Sequence, residues 1–140
     1  MKTLVVYYSF SGHGKKYAEE LAAAQETDLL ELRDEKKMNI IRAFYPGCPN
    51  AMKRAPARLA DFAYNWPDYD ALVFIVPLWA GYPAPALNNC IAVLPQGKAV
   101  TLVLLSGSGN SAKSREGTIA LVESRGCTVA EYRDVKASGQ

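Results

Sequence analysis

The chain has 140 residues, a formal net charge of +2 and a hydrophobic fraction of 49%. That is enough for one domain with a sizeable core, and too weakly basic, without any Lys/Arg block, to argue for nucleic acid. The three cysteines, Cys48, Cys90 and Cys127, are far apart and the chain has one histidine, which argues against a Cys/His zinc site and for reduced thiols in a cytoplasmic protein. The longest apolar run, Ala99 to Leu105, is too short to span a membrane, and no signal peptide is visible before the first strand.

Thr3 to Tyr8 predicts a strand. A loop of small residues follows, and then a helix from about Gly14 to Gln25, with apolar positions 17, 18, 21 and 22 on one face. Thr27 to Leu32 reads as a strand near a sheet edge, and the charged Arg33 to Lys37 as a solvated turn or short helix. Met38 to Pro56 is the least regular stretch, and Tyr45 to Asn50 is full of breakers and reads as loop. Helical spacing returns in Ala57 to Trp66, and Asp68 to Asp70 is a turn. The continuous apolar run Ala71 to Val76 reads as a strand buried on both faces. It leads into a loop over 77–83 and a helix from about 84 to 94 with Pro85 in its first turn. Ala99 to Leu105 is a second buried strand, followed by a Ser/Gly loop, a helix over Ala112 to Ser124 stopped by Gly126, and a last strand over Cys127 to Tyr132.

This alternation predicts an α/β fold: a three-layer, doubly wound, five-stranded parallel sheet over residues 1–140 as a single domain, with no final helix. In such a sheet the loops after the first, third and fourth strands emerge at one carboxyl edge. With strand order 2-1-3-4-5 the direction changes between strands one and three, and ligands bind in the crevice there. The first loop, Ser9, Phe10, Ser11, Gly12, His13, Gly14 and Lys15, leads into a helix whose first N–H groups have no internal partners and sit at the positive dipole end. Ser9 and Ser11 add hydroxyls, and Gly12 and Gly14 allow close approach, so the loop suits a phosphate monoester. It is neither a Walker loop nor a dinucleotide fingerprint. The second loop, Pro77, Leu78, Trp79, Ala80, Gly81 and Tyr82, offers a large aromatic. The third, Ser106, Gly107, Ser108 and Gly109, offers backbone N–H groups and hydroxyls. A phosphate cradle, an aromatic slot and a polar backbone loop together are what flavin mononucleotide (FMN) needs.

The same residues carry a family resemblance. Val5, Val6, Tyr7, Ser9, Gly12, Ala18 and Leu21 match the amino-terminal signature of flavodoxin-fold flavoproteins. Pro77 to Leu87 resembles the flavin-flanking loop of small flavodoxin-like and quinone-reductase-like proteins, and Ser106 to Gly109 resembles their third flavin loop. The resemblance implies a flavodoxin-like protein with FMN as cofactor and no catalytic side chain or metal. Three departures stand out: Gly14 where the family usually carries Thr, His13 where Asn is common, and no carboxyl-terminal helix over one flank of the sheet.

Bland readings stand beside these. Ser9 to Gly12 could be a capped turn, Lys15 a solvated helix-surface residue, His13 an exposed loop residue, and Trp79 a core or dimer-contact tryptophan. Tyr7 and Tyr8 alternate in the strand, so one of them is expected in the core. Cys48 and Arg54 share the C-x5-R spacing of tyrosine phosphatases, but in an irregular segment containing Pro49 and without a following Ser or Thr, so the spacing reads as chance. A phosphoacceptor receiver domain would need acidic residues at the ends of strands one and three, where this chain has Tyr8-Ser9 and Val76-Pro77.

The functional expectation is a cytoplasmic FMN redox protein. It serves either as an electron carrier working with a redox partner protein, or as an NAD(P)H-dependent oxidoreductase reducing a small acceptor such as a quinone. Carriers of the flavodoxin kind are generally strongly acidic, so the slight basicity favours the reductase. A flavodoxin-fold binding module that has lost its flavin is the alternative from another class, and an uncovered sheet flank would make a homodimer plausible.

Overall fold

The structure is a computed structural model that describes residues 2–10, 12–63 and 65–137. Strands β1 (Thr3–Tyr8), β2 (Asp28–Leu32), β3 (Ala71–Trp79), β5 (Ala99–Ser106) and β6 (Thr128–Lys136) form one parallel sheet in the order β2-β1-β3-β5-β6. The short β4 (Tyr82–Pro83) pairs back antiparallel on the end of β3. With that hairpin set aside, the order is the expected 2-1-3-4-5. The fold is flavodoxin-like: α1 (His13–Gln25) covers one face of the sheet, while α4 (Ala86–Ala92) and α5 (Ala112–Glu123) lie on the other.

The apolar runs dictate this layering. β1 and β3 are buried along nearly their whole length, so alternate side chains feed two cores. Leu4, Val6, Tyr8, Leu72, Phe74 and Val76 point into the larger core with α4. Val5, Tyr7, Val73 and Ile75 point into a smaller core against Ala18 and Ala22 of α1. Both Tyr7 and Tyr8 are therefore buried, one on each face, because a parallel sheet covered on both sides has no solvent-facing alternative. On the α1 face Val103 and Leu105 are fully buried in the smaller core, with Tyr17, Leu21, Val135 and Ala137 packed against the same cluster, while β6 at the sheet edge stays half-exposed.

The crossover between β2 and β3 departs most from expectation. Helix forms earlier, as α2 (Ile40–Arg42) and α3 (Cys48–Met52), inside the stretch 38–56 read as least regular, and α3 overlaps the end of the expected loop over 45–50. Pro49 is tolerated because it sits in the first turn of α3, where its missing N–H has no helical partner to lose. Residues 57–63, read as helix, are irregular. Their backbone groups are engaged elsewhere. Glu35 N–H donates to Arg58 O at 2.9 Å, and Ala60 N–H donates to Arg33 O at 2.8 Å. The Asn89 side chain both accepts from Ala57 N–H at 2.7 Å and donates to Ala57 O at 2.9 Å. The apolar spacing of this segment serves packing rather than a helix: Phe62 stacks on Trp66, and Leu59 packs against the larger core.

The loop expected over 77–83 is also more regular than read. β3 runs on through Trp79, and the chain reverses at Ala80 and Gly81, whose φ values of 56° and 84° are those of a tight hairpin turn. The last strand likewise extends to Lys136, beyond the expected Tyr132.

Candidate functional site

The carboxyl ends of β1, β3 and β5 bring the three loops together. The first begins at Ser9 and turns at Gly12, which has φ 95° and, chain neighbours aside, no atom of the described residues within 4 Å of where a Cβ would stand. Ser9 Oγ accepts from Gly12 N–H at 3.0 Å, which shapes the turn and leaves the hydroxyl hydrogen free to donate. Helix α1 then starts at His13. Its first internal bond is Lys16 N–H to Gly12 O at 3.1 Å, so the N–H groups of His13, Gly14 and Lys15 have no helical acceptor. The first turn holds no acidic residue. The helix dipole and the exposed Lys15 and Lys16 add positive charge, so an oxyanion fits there. Gly14 is buried: a Cβ would stand 3.1 Å from Tyr8 O and 3.4 Å from Ser9 Cβ. The lack of a side chain there is thus a packing requirement of this chain. Ser11 lies outside the described residues.

The second loop is the β3–β4 hairpin. Pro77 is buried within β3, Leu78 is partly buried, and Ala80 at the turn is exposed. Trp79 is only 8% exposed. Its ring meets Phe10 at 6.1 Å and Tyr8 at 6.0 Å, both edge to face, so it ties the first loop to the second. Tyr82 is half-buried with cations on its ring: the Arg54 guanidinium 5.4 Å and Lys113 Nζ 5.6 Å from its centroid.

The third loop is held largely by its own side chains. Ser106 Oγ accepts from Gly109 N–H at 2.9 Å, Ser108 Oγ accepts from Asn110 N–H at 3.2 Å, and Asn110 Oδ1 caps α5 by accepting from Ala112 N–H at 2.8 Å. The Gly109 N–H read as a ligand donor is therefore engaged within the loop, while Gly107 is exposed in open space. Ser114 Oγ donates to Gly81 O at 2.7 Å and joins this loop's helix to the hairpin. Ser111 and Tyr132 hydroxyls bond each other beside it, and burial raises the Tyr132 phenol above its ordinary pKa.

Arg54 is the residue that sequence reading missed. Its backbone is left-handed at φ 56°. Its side chain reaches α5, where Nη1 donates to Thr118 Oγ1 at 3.0 Å and Nη2 donates to Ser114 O at 3.1 Å. Burial lowers its pKa, and the nearby Tyr82 and Tyr132 oppose the shift. The only local signal for Arg54 was its spacing from Cys48. The guanidinium is committed to α5 and Tyr82, and burial raises the Cys48 thiol, so the phosphatase spacing is a coincidence. Among the described residues no group of His, Cys, Asp and Glu side chains suits a metal ion.

The family model described as NADPH-dependent FMN reductase matches residues 1–131. A search of the curated proteins gives no significant match. Among solved structures, the chain is similar to a flavoprotein from Lactobacillus acidophilus NCFM in complex with FMN, at 23% identity and TM-score 0.74 over 95% of this chain and 93% of that one. It is also similar to the flavodoxin of Streptococcus pneumonia TIGR4, at 13% identity and TM-score 0.52 over 99% and 88% of the two chains. An NADH:FMN oxidoreductase in its apo form aligns at 18% identity and TM-score 0.53 over 94% and 75%.

Proposed function

The chain belongs to the NADPH-dependent FMN reductase family and is an FMN-binding, flavodoxin-like redox protein, and on that premise we propose that residues 1–140 act as one domain that takes electrons from NAD(P)H and passes them to a small acceptor such as a quinone. The observation that carries this reading is the open first turn of α1 at the same edge as the hairpin and the Ser106–Gly109 loop. Ser9, Ser11, Gly12, His13, Gly14 and Lys15 hold the FMN phosphate through helix N–H groups and hydroxyls. Phe10, Pro77, Leu78, Trp79, Ala80, Gly81 and Tyr82 flank the ring, and Ser106, Gly107, Ser108 and Gly109 meet its polar edge. Trp79 contributes mainly by fixing the hairpin, since it is buried and its ring meets Tyr8 and Phe10 edge to face.

Bound FMN supplies the electron acceptance and release; the protein binds and orients it and sets its electrostatic surroundings. Arg54 and Lys113 beside Tyr82 place two positive charges at the hairpin, which favours negative charge on a group bound there. No side chain is required as a nucleophile.

The protein works in the cytoplasm, in line with its free cysteines. Among the described residues no helix is long and apolar enough to cross a membrane. It self-associates through Ile40, Ile41 and Phe44, each at least 75% exposed on one short segment. Light scattering is expected to show a dimer, and a monomer at micromolar concentration would remove that point.

The test is an absorption spectrum of the purified protein with FMN added and the excess removed, followed by NADPH oxidation with a quinone. Retained flavin bands and acceptor-dependent turnover are expected. Retained flavin with no turnover at any acceptor would overturn the reductase reading in favour of a carrier.

A further inference from the structure

A cavity of about 480 Å³ opens between the 34–58 segment and the carboxyl ends of β1 and β3, a size typical of small-molecule sites. Tyr8 and Trp79 form its aromatic wall, and no described residue of 9–15, 80–82 or 106–109 lines it. It therefore adjoins the FMN loops through Trp79 without being one of them. We infer that this cavity is a second ligand site, which takes a small planar aromatic molecule carrying an anionic group.

Three features specify that class. The first is the wall: Tyr8 and Trp79 stand edge to face, and Met38, Pro46 and Pro85 complete an apolar slot that suits a flat ring. The second is a polar pair at that wall. Tyr8 Oη donates to Asp34 Oδ2 at 2.6 Å, which leaves the phenol oxygen's lone pairs for a ligand hydroxyl or amino group. The third is charge. Lys36, Arg42 and Arg58 line the cavity, and none has an ion-pair partner among the described residues. They outnumber the two acids there, Asp34 and Glu35. Positive charge on a half-enclosed apolar slot attracts an aromatic anion more than a neutral ring.

That chemistry has two natural sources in a reductase: an acidic quinone acceptor, or the 2′-phosphoadenosine end of a nicotinamide dinucleotide. The choice of these two sources rests on the reductase reading, while the binding itself is tested without turnover. Equilibrium dialysis of the FMN-loaded protein is done with anthraquinone-2-sulfonate, with adenosine 2′-monophosphate and with the neutral 2-(hydroxymethyl)anthraquinone. At least one anionic probe is expected to bind saturably, at least tenfold tighter than the neutral one. Whichever binds identifies the source. Lys36→Ala/Arg58→Ala, two exposed changes outside the 40–44 segment, is expected to weaken binding at least tenfold. Ala57→Trp, which fills the slot, is expected to abolish it. No saturable binding by either anion, equal binding by the neutral probe, unchanged affinity in the double variant, or displacement of the probe by FMN from the FMN-free protein would each overturn the inference. Loss of FMN binding itself is read separately from the flavin spectrum.

Discussion

The guanidinium of Arg54 lies 5.4 Å from the ring centroid of Tyr82 while donating to Thr118 and Ser114 on α5. One side chain from an irregular segment thus joins the hairpin after β3 to the helix after β5. Room for it depends on Gly117, where a Cβ would stand 2.8 Å from Arg54 Nη2.

This relationship predicts a coupled pair. Gly117→Ala improves helix propensity by about 1 kcal/mol but displaces the guanidinium, whose charged hydrogen bonds are worth about 1.5–3 kcal/mol. The single change is expected to destabilise the fold by roughly 1 kcal/mol on that balance. In an Arg54→Ala background, where nothing is displaced, it is expected to stabilise by about 1 kcal/mol. Urea unfolding of the four proteins in the cycle measures the coupling, and additive effects would show that Arg54 is not held as described.

Gly14 packs against the end of β1, with Tyr8 O 3.1 Å from a would-be Cβ. The neighbour is backbone of a central strand and yields little. Gly14→Ala is expected to cost about 1–2 kcal/mol by overpacking. Because the shift moves the first turn of α1, FMN affinity is expected to fall severalfold. Thermal unfolding together with flavin titration checks both; an unchanged affinity would separate Gly14 from the phosphate site.

Asp34 gives a pH dependence of known sign. Burial raises its carboxyl above the ordinary 3.8, and the hydrogen bond from Tyr8 only partly opposes this. A raised carboxyl holds more protons folded than unfolded. Its effect therefore lowers stability as pH rises from 3.8 through the folded value, and stays constant above it. Asp34→Asn keeps an oxygen for Tyr8 and never ionises. Relative to the parent, the variant is expected to gain stability across that window, read from urea midpoints between acid and neutral pH. A relative loss would mean that the charged Asp34 is favoured by the fold.

Gly47 lies under Trp79, and a Cβ there would be 2.9 Å from both the Trp79 ring and Arg42 O. Gly47→Ala is expected to cost about 1–3 kcal/mol, since neither a packed indole nor a carbonyl can retreat freely. It should also change tryptophan emission by shifting Trp79. Unaltered stability would show that the segment over Trp79 is looser than described.

Much of the architecture was written locally. The apolar runs in β1, β3 and β5 can only be satisfied by a sheet covered on both faces, and their alternation with helices sets the parallel order and the edge where the loops meet. The junction proposed for the phosphate was legible for the same reason: a buried strand leads directly into the start of α1. The segment from 33 to 66 was not legible. Its helical spacing at 57–66 was overridden by Asn89, Arg33 and Glu35, which take backbone hydrogen bonds a helix would have used. Those partners lie up to 32 residues away in the chain, so no local pattern carries them.

Whether Trp79 is buried or open, which N–H groups of the third loop remain free, and where Arg54 reaches were likewise tertiary decisions. Arg54 and Thr118 are 64 residues apart and meet only once β3 and β5 are paired. The sequence alone determined the sheet, the layers and the edge where the three loops meet, because burial period and turn chemistry act over a few residues. The tertiary structure alone decided the cation-flanked Tyr82 and the cavity behind Trp79, because both are built by contacts between segments that the sheet brings together.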